Sequence, residues 1–144
     1  MSAPKLMDER TGRYLPLLHP EEREFWAGTK RREIRLQCCA ACDKAWYPIG
    51  PTCPFCLSDR YAWKRMSGRG TVSNVVIFHK GWTPYLAARV PYAVVQVALE
   101  EGPRLTTNML GIAPEAVKIG MPVEADFEDL TEEVTLVQFR PRSA

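Results

Sequence analysis

Residues 38–56 read CCAACDKAWYPIGPTCPFC, and the spacing of the cysteines decides how the first half of the chain folds. Cys39-x-x-Cys42 and Cys53-x-x-Cys56 form two knuckles separated by ten residues. A Cys-x-x-Cys turn aims two thiolates to one side, and four thiolates at about 2.3 Å close a tetrahedral Zn²⁺ site. Cys38 leaves the register open, because Cys38-x-x-x-Cys42 is also an allowed spacing. Cys39 is preferred as the ligand, since it makes the first knuckle the twin of the second and leaves Cys38 a free or back-facing thiol.

Disulfide and redox readings fit less well. The chain has five cysteines, an odd number for a complete disulfide framework. Its first residues, MSAPKLMDERTGRYLPLL, are charged throughout and lack the apolar core of a secretory signal. A thioredoxin-type Cys-x-x-Cys has no need of a second copy. Four thiolates also leave no open coordination position, so the expected zinc is structural and activates no water. Its binding, worth about 10–16 kcal/mol in structural sites, offsets the small core of so short a segment.

Outward from the knuckles, Glu33–Gln37 alternates and leads into the first knuckle as a strand. Ala45–Pro48 and Tyr61–Lys64 supply two more short strands, giving a zinc ribbon similar to a rubredoxin-like finger. Trp46, Tyr47 and Trp63 are expected to make the ribbon's core. Before it, His19-Pro20-Glu21-Glu22 through Gly28 carries proline and acids at its start and glycine at its end, the marks of a short helix. Residues 1–18 show no periodicity and are expected to form an extended arm.

After Ser67-Gly68-Arg69-Gly70, expected to be a flexible hinge, the chain becomes rich in β-branched residues. Strands are predicted at Val72–His79, Pro91–Leu99 and Leu105–Leu110, the last two joined as a hairpin through Glu101-Gly102-Pro103. One or two helical turns follow at 113–120. Val123, Ala125 and Phe127 alternate with Glu124, Asp126 and Glu128 in a fourth strand. Val134–Phe139 is a fifth whose inward face the pattern leaves undecided. Three strands, a short helix and two strands is the order of an OB-fold barrel. The fold class is therefore mainly β: an arm and short helix over 1–32, a zinc ribbon over 33–66 and a five-stranded OB-fold over 67–144.

At 144 residues, with 25% charged and 46% hydrophobic residues, the composition is that of an ordinary globular chain with no apolar run of membrane-spanning length. The net charge of +2 is too balanced to imply a nucleic-acid partner by itself. Basic residues do flank the cysteines (Lys30, Arg31, Arg32 and Arg35 before, Arg60, Lys64, Arg65 and Arg69 after). A single-stranded nucleic-acid-binding module is therefore the alternative reading. The two histidines, His19 and His79, stand in no nucleophile, phosphate-loop or metalloprotease motif. No catalytic residues are expected, and a cytoplasmic location is. The acidic run from Glu124 to Glu133 is expected to be a solvated face.

Taken together, FW, RLQC-CxxC, CPFC, SGRGTV, PYAVVQVALEEGPRL, NMLG, IGMPVEADFE and the closing FRP resemble one family over roughly Glu21 to Pro141. It is the acyl-CoA-associated family with an N-terminal rubredoxin-like zinc ribbon and a C-terminal OB-fold, long carried as a domain of unknown function. Asp43 stands where that family usually has glycine, and Ile49-Gly50 replaces part of a proline-rich approach to the third cysteine. The resemblance implies a thiolase-associated small subunit, bound to a thiolase-fold protein as a heterotetramer, with the catalytic groups in the larger subunit. It also implies a CoA thioester at the shared site. Phe25, Trp26, Lys80, Trp82 and Arg89 are the candidate partner-facing or CoA-facing residues.

Overall fold

The computed structural model describes residues 5–143. A hairpin of two-residue strands, β1 (Met7–Asp8) and β2 (Arg13–Tyr14), occupies the segment expected to be an extended arm. Asp8 makes this turn: its carboxylate accepts from the Arg10 amide (3.0 Å) and from the Thr11 hydroxyl (3.2 Å), a local bonding pattern typical of Asp in turns. Residues 1–4 of the expected arm lie outside the described residues.

The helix α1 spans Arg23–Lys30, preceded by one 3₁₀ turn at Pro20–Glu22. Gly28 is inside the helix and not its stop, a correction to the sequence reading. A Cβ there would stand 2.9 Å from Cγ of Arg35, so glycine lets the helix close onto the next strand. The stop comes at Arg32, which takes the left-handed conformation (φ 64°). The Arg32 amide bonds the Thr29 carbonyl and the Glu33 amide bonds the Gly28 carbonyl, the two hydrogen bonds of a Schellman ending.

The ribbon is a three-stranded sheet in the order β4 (Ala45–Trp46), β3 (Arg35–Cys39), β5 (Tyr61–Arg65). Its centre, β3, is buried on both faces as pleating requires of alternating positions. Leu36 and Cys38 face the barrel core, whereas Cys39 packs with Trp46 and Cys53. Trp46, Tyr61 and Trp63 meet edge-on in series, at 5.7 and 6.2 Å between ring centres, so two of the three expected aromatics form the ribbon's packing. Tyr47, the third, is 39% exposed and lies 6.0 Å from the Phe25 ring, and Tyr61 takes its place.

The barrel runs β6 (Arg69–Phe78), β7 (Tyr92–Leu99), β8 (Arg104–Asn108), β9 (Pro122–Asp129) and β10 (Thr135–Pro141), paired in the order β10-β9-β6-β7-β8. A parallel bridge between Met109 and Phe139 brings the two ends together and nearly closes the sheet. This is the OB-fold expected from the strand count. The predicted helical turns shrink to one 3₁₀ turn at Pro114–Ala116, and a short helix α2 (Pro84–Ala87) stands in the β6–β7 connection, capped by Thr83. On β10 the inward face is Val137 and fully buried Phe139.

Ser67–Gly70 is no hinge. The Ser67 amide bonds the Glu101 carboxylate (2.6 Å), the Ala125 amide bonds the Gly68 carbonyl (2.7 Å), and Gly70 pairs with both Leu99 and Val123. A Cβ on Gly70 would lie 2.5 Å from the Ala98 carbonyl oxygen, so the strand crossing there excludes any side chain. A bulge between Val72 and Asn74 then re-aims β6 along β7.

The acidic strand is also more than a solvated face. Glu124 pairs with Arg140 (3.0 Å), Glu128 with Arg13 (2.9 Å) and Asp129 with Arg32 (2.8 Å), tying the hairpin and α1 to the barrel. One continuous core holds ribbon and barrel together: Phe25, Ile34, Leu36, Cys38 and Met66 pack with Val72, Val95, Val97, Leu105, Val123 and Phe139. No helix among the described residues is long and apolar enough to cross a membrane.

Candidate metal centre

The two knuckles share one backbone pattern. In the first, the Cys39 amide bonds the Lys44 carbonyl and the Asp43 amide bonds the Cys39 carbonyl. In the second, the Cys53 amide bonds the Ser58 carbonyl and the Leu57 amide bonds the Cys53 carbonyl. Each loop turns through a left-handed residue, Asp43 at φ 61° and Leu57 at φ 64°. The family's usual glycine at position 43 thus answers a conformational demand that Asp tolerates and leucine meets under strain.

These turns point amides at sulfur. The Ala41 and Cys42 amides approach Cys39 Sγ at 3.3 and 3.4 Å, and the Phe55 amide approaches Cys53 Sγ at 3.4 Å. The sulfurs of Cys39 and Cys56 lie 3.5 Å apart, those of Cys42 and Cys53 3.7 Å, and all four fall within 4.8 Å of one another. Thiolates on a tetrahedral zinc stand about 3.8 Å apart, so the cluster has the span the ion requires. A disulfide needs about 2.05 Å and none is present among the described cysteines. A donor set of four sulfurs without oxygen or nitrogen fits zinc held as a closed structural site.

The electrostatics match. The Cys42 amide, aided by that of Ala41, holds the Cys39 thiol down at about 6, so this sulfur is a thiolate at neutral pH. At Cys56 the Ser58 amide favours the thiolate, but hydrogen bonding with Cys39 and burial override it and push the thiol up to about 12. Four neighbouring sulfurs cannot all ionise without a cation, and a dication supplies the missing charge. Cys38 lies on the opposite face of β3, and burial raises its pKa. The sequence left its register open, and the pleat places it in the core.

The other sequence-selected residues separate. Phe25 is buried, edge-on to Trp26 at 5.1 Å, which corrects its assignment to an exposed surface. Its turn of α1 faces the ribbon sheet, so it packs on this chain. Trp26 is half-buried, with Nε1 donating to Glu22 (3.2 Å). Lys80 and Trp82 stand together: Trp82 is 73% exposed and the Lys80 ammonium lies 4.4 Å from its ring centre. Arg89 lies 3.6 Å over the Tyr85 ring, in a groove that also contains Arg13 and Gln138. Nothing in the sequence joins those positions, which come from three distant segments.

A zinc ribbon fused through a shared core to a nearly closed OB barrel defines a two-module class of protein, and the comparisons agree. The model described as "ChsH2, rubredoxin-like zinc ribbon domain" matches residues 26–62, and "ChsH2, C-terminal OB-fold domain" matches residues 63–128. The chain is 38% identical to, and superposes with a TM-score of 0.78 on, a chain of the "Ltp2-ChsH2(DUF35) aldolase", covering 88% of this chain and 98% of that one. A DUF35 domain-containing scaffold protein of Methanocaldococcus jannaschii is 31% identical over 66% of this chain and 67% of its own length. A probable enoyl-CoA hydratase alpha subunit of Thermomonospora curvata is 38% identical over 88% of this chain. Of that subunit's length, however, the chain spans only 39%. The chain belongs to the DUF35 family of zinc-ribbon/OB-fold proteins.

Proposed function

We propose that the chain is the non-catalytic, zinc-stapled subunit of a thiolase-type or thiolase-like retro-aldolase complex acting on acyl-CoA thioesters in a cytoplasmic, β-oxidation-like degradation. The observation that carries this reading is the match to 98% of a chain in an aldolase assembly, at 38% identity and with the same two modules. The hydratase alpha subunit of Thermomonospora curvata shares the segment and adds CoA-thioester chemistry to the support.

The chain's own chemistry suits a supporting role. Retro-aldol cleavage needs a base for the β-hydroxyl and a group to stabilise the enolate, held together in a pocket. His79 stands exposed at the end of β6, and the Cys38 thiol is buried behind β3. A closed zinc site offers no coordination position. In our reading the larger, thiolase-fold subunit supplies those groups. This chain then contributes a rigid docking body and a route for CoA, its adenine on the Trp82 ring and phosphate by Lys80. The nucleic-acid alternative has less behind it. Arg35 pairs with Glu24, Arg31 and Arg65 approach Glu33, and Arg69 pairs with Glu100, so much of the basic flank is neutralised within the chain.

The direct test is cleavage of a β-hydroxyacyl-CoA by the purified chain, alone and after reconstitution with the thiolase-fold partner. Turnover is expected only with the partner present. Cleavage by the chain alone would contradict the proposal.

A further inference from the structure

The barrel leaves one stretch of sheet edge open. β6 pairs with β9 only over Arg69–Thr71, and next to it Gly120 and Met121 bond the Val72 carbonyl (2.8 Å) and amide (3.0 Å). Past the bulge at Ser73, residues 74–78 pair with β7 alone. Which groups they turn to β7 follows from its other neighbour. The Ala93 carbonyl accepts from the Met109 amide and the Leu99 amide donates to the Pro103 carbonyl, so odd-numbered residues of β7 face β8. Tyr92, Val94 and Gln96 therefore face β6, and their partners Phe78, Val76 and Asn74 face β7. The N–H and C=O of Val75 and Ile77 point to the open edge. The Val75 amide is met by Asn74 Oδ1 at 2.9 Å; the Ile77 amide and both carbonyls have no partner among the described residues.

Native edges are blunted by lysine, proline or an inward charge. Asn74-Val75-Val76-Ile77-Phe78 carries none of these. Its outward side chains add apolar surface: Val76 is 54% exposed, and Phe78 stacks on Tyr92, ring centres 5.2 Å apart and 7° from parallel. Alternating main-chain donors and acceptors beside apolar side chains suit one class of ligand, an extended polypeptide. A second copy of this chain offers only the same short edge, against about 20–30 residues a side in a stable interface, and its flanking chain would meet Gly120–Met121. The edge instead leads directly into Lys80 and Trp82, the pair assigned above to the CoA route. A strand of the larger subunit laid along β6 therefore ends at that shared surface.

We infer that the open edge of β6 receives an extended segment of the larger subunit as an added strand. Its main chain exchanges hydrogen bonds with Val75 and Ile77, and every second side chain, apolar, packs beside Val76 and the Phe78–Tyr92 stack. The inference rests on the subunit reading above and adds the surface and the chemistry of the partner.

The test uses the full chain, its Ile77→Pro and Ile77→Val variants, and the purified thiolase-fold partner, with affinity by calorimetry and residue-resolved hydrogen exchange. In the free chain the Ile77 amide is expected to exchange fast, and to slow about tenfold or more when the partner binds. Ile77→Pro removes an N–H that bonds nothing within the chain, and proline is tolerated on an open edge, so its thermal midpoint should stay close to that of Ile77→Val. Its affinity should nevertheless fall about tenfold below that of Ile77→Val, which keeps the N–H. Equal affinities of the two variants, or an Ile77 amide unchanged on binding, would overturn the strand assignment and leave the subunit reading intact. Should Ile77→Pro lower the midpoint, the exchange of the unaltered chain decides alone. Protection of Ile77 in the free chain that rises with concentration would replace the partner's strand by a second copy, and protection at every concentration would show the edge already covered. Failure of the unaltered chain to bind would overturn the subunit reading and this inference with it.

Discussion

Cys38 and Cys39 are adjacent in sequence and serve opposite faces of β3, one in the barrel-facing core and one among the knuckle sulfurs. Their substitution should separate accordingly. Cys39→Ser is expected to abolish stoichiometric zinc and unfold the ribbon, because three thiolates and an alcohol make a poor zinc site. Cys38→Ser should retain one zinc per chain and lose about 1–3 kcal/mol, the cost of a hydroxyl in an apolar core without a partner. Metal analysis with urea unfolding of both variants checks the contrast; loss of zinc from Cys38→Ser would shift the register by one residue. Spacing made the knuckles legible but not this choice, since both registers satisfy the loop and only the pleat of β3 decides. The left-handed turn at Leu57 was likewise hidden, as leucine gives no sign of a positive φ.

Between elements, the bidentate contact of Arg32 with Asp129, both N–H···O distances 2.8 Å, fastens the end of α1 to β9. Hydrogen bonding from Arg32, aided by Thr135, holds the Asp129 carboxyl well below the usual carboxylate range. A pKa depressed in the folded state stabilises fully above the unfolded value of about 3.9 and fades as pH falls through the native one. The stability difference between the unaltered chain and Arg32→Met should therefore be constant above about pH 5 and shrink on further acidification. Denaturant unfolding at stepped pH measures it, and a difference that grew towards acid would refute the pairing. The pair lies at exposed positions, so its contribution is modest. Such contacts explain what the sequence hid. The β1–β2 hairpin has two-residue strands, too short for a periodic signal, and Arg13 finds Glu128 a distance of 115 residues along the chain. Ser67–Gly70 looked like a hinge from its two glycines. One takes a positive φ and the other fits where strands cross too closely for a Cβ, so both serve rigidity.

For the whole molecule, strand order and the helical turn before β9 were enough to specify the OB barrel, because strong β-branched runs and turn signals alternate through that half. What pattern could not supply was the joint between modules. Ile34, Leu36, Cys38 and Met66 read as ribbon residues, yet they pack on Val72, Val97 and Phe139 in a single core. The exposed Trp82 and the open edge of β6 then stand on one rigid body, which is what a scaffold for a catalytic partner needs. The most direct measurement is native mass spectrometry of the complex recovered through a tag on this chain after nuclease treatment. The account predicts a thiolase-fold protein in stoichiometric amount and one zinc per copy of this chain. Recovery of the chain alone, or of partners lost on nuclease treatment, would contradict it.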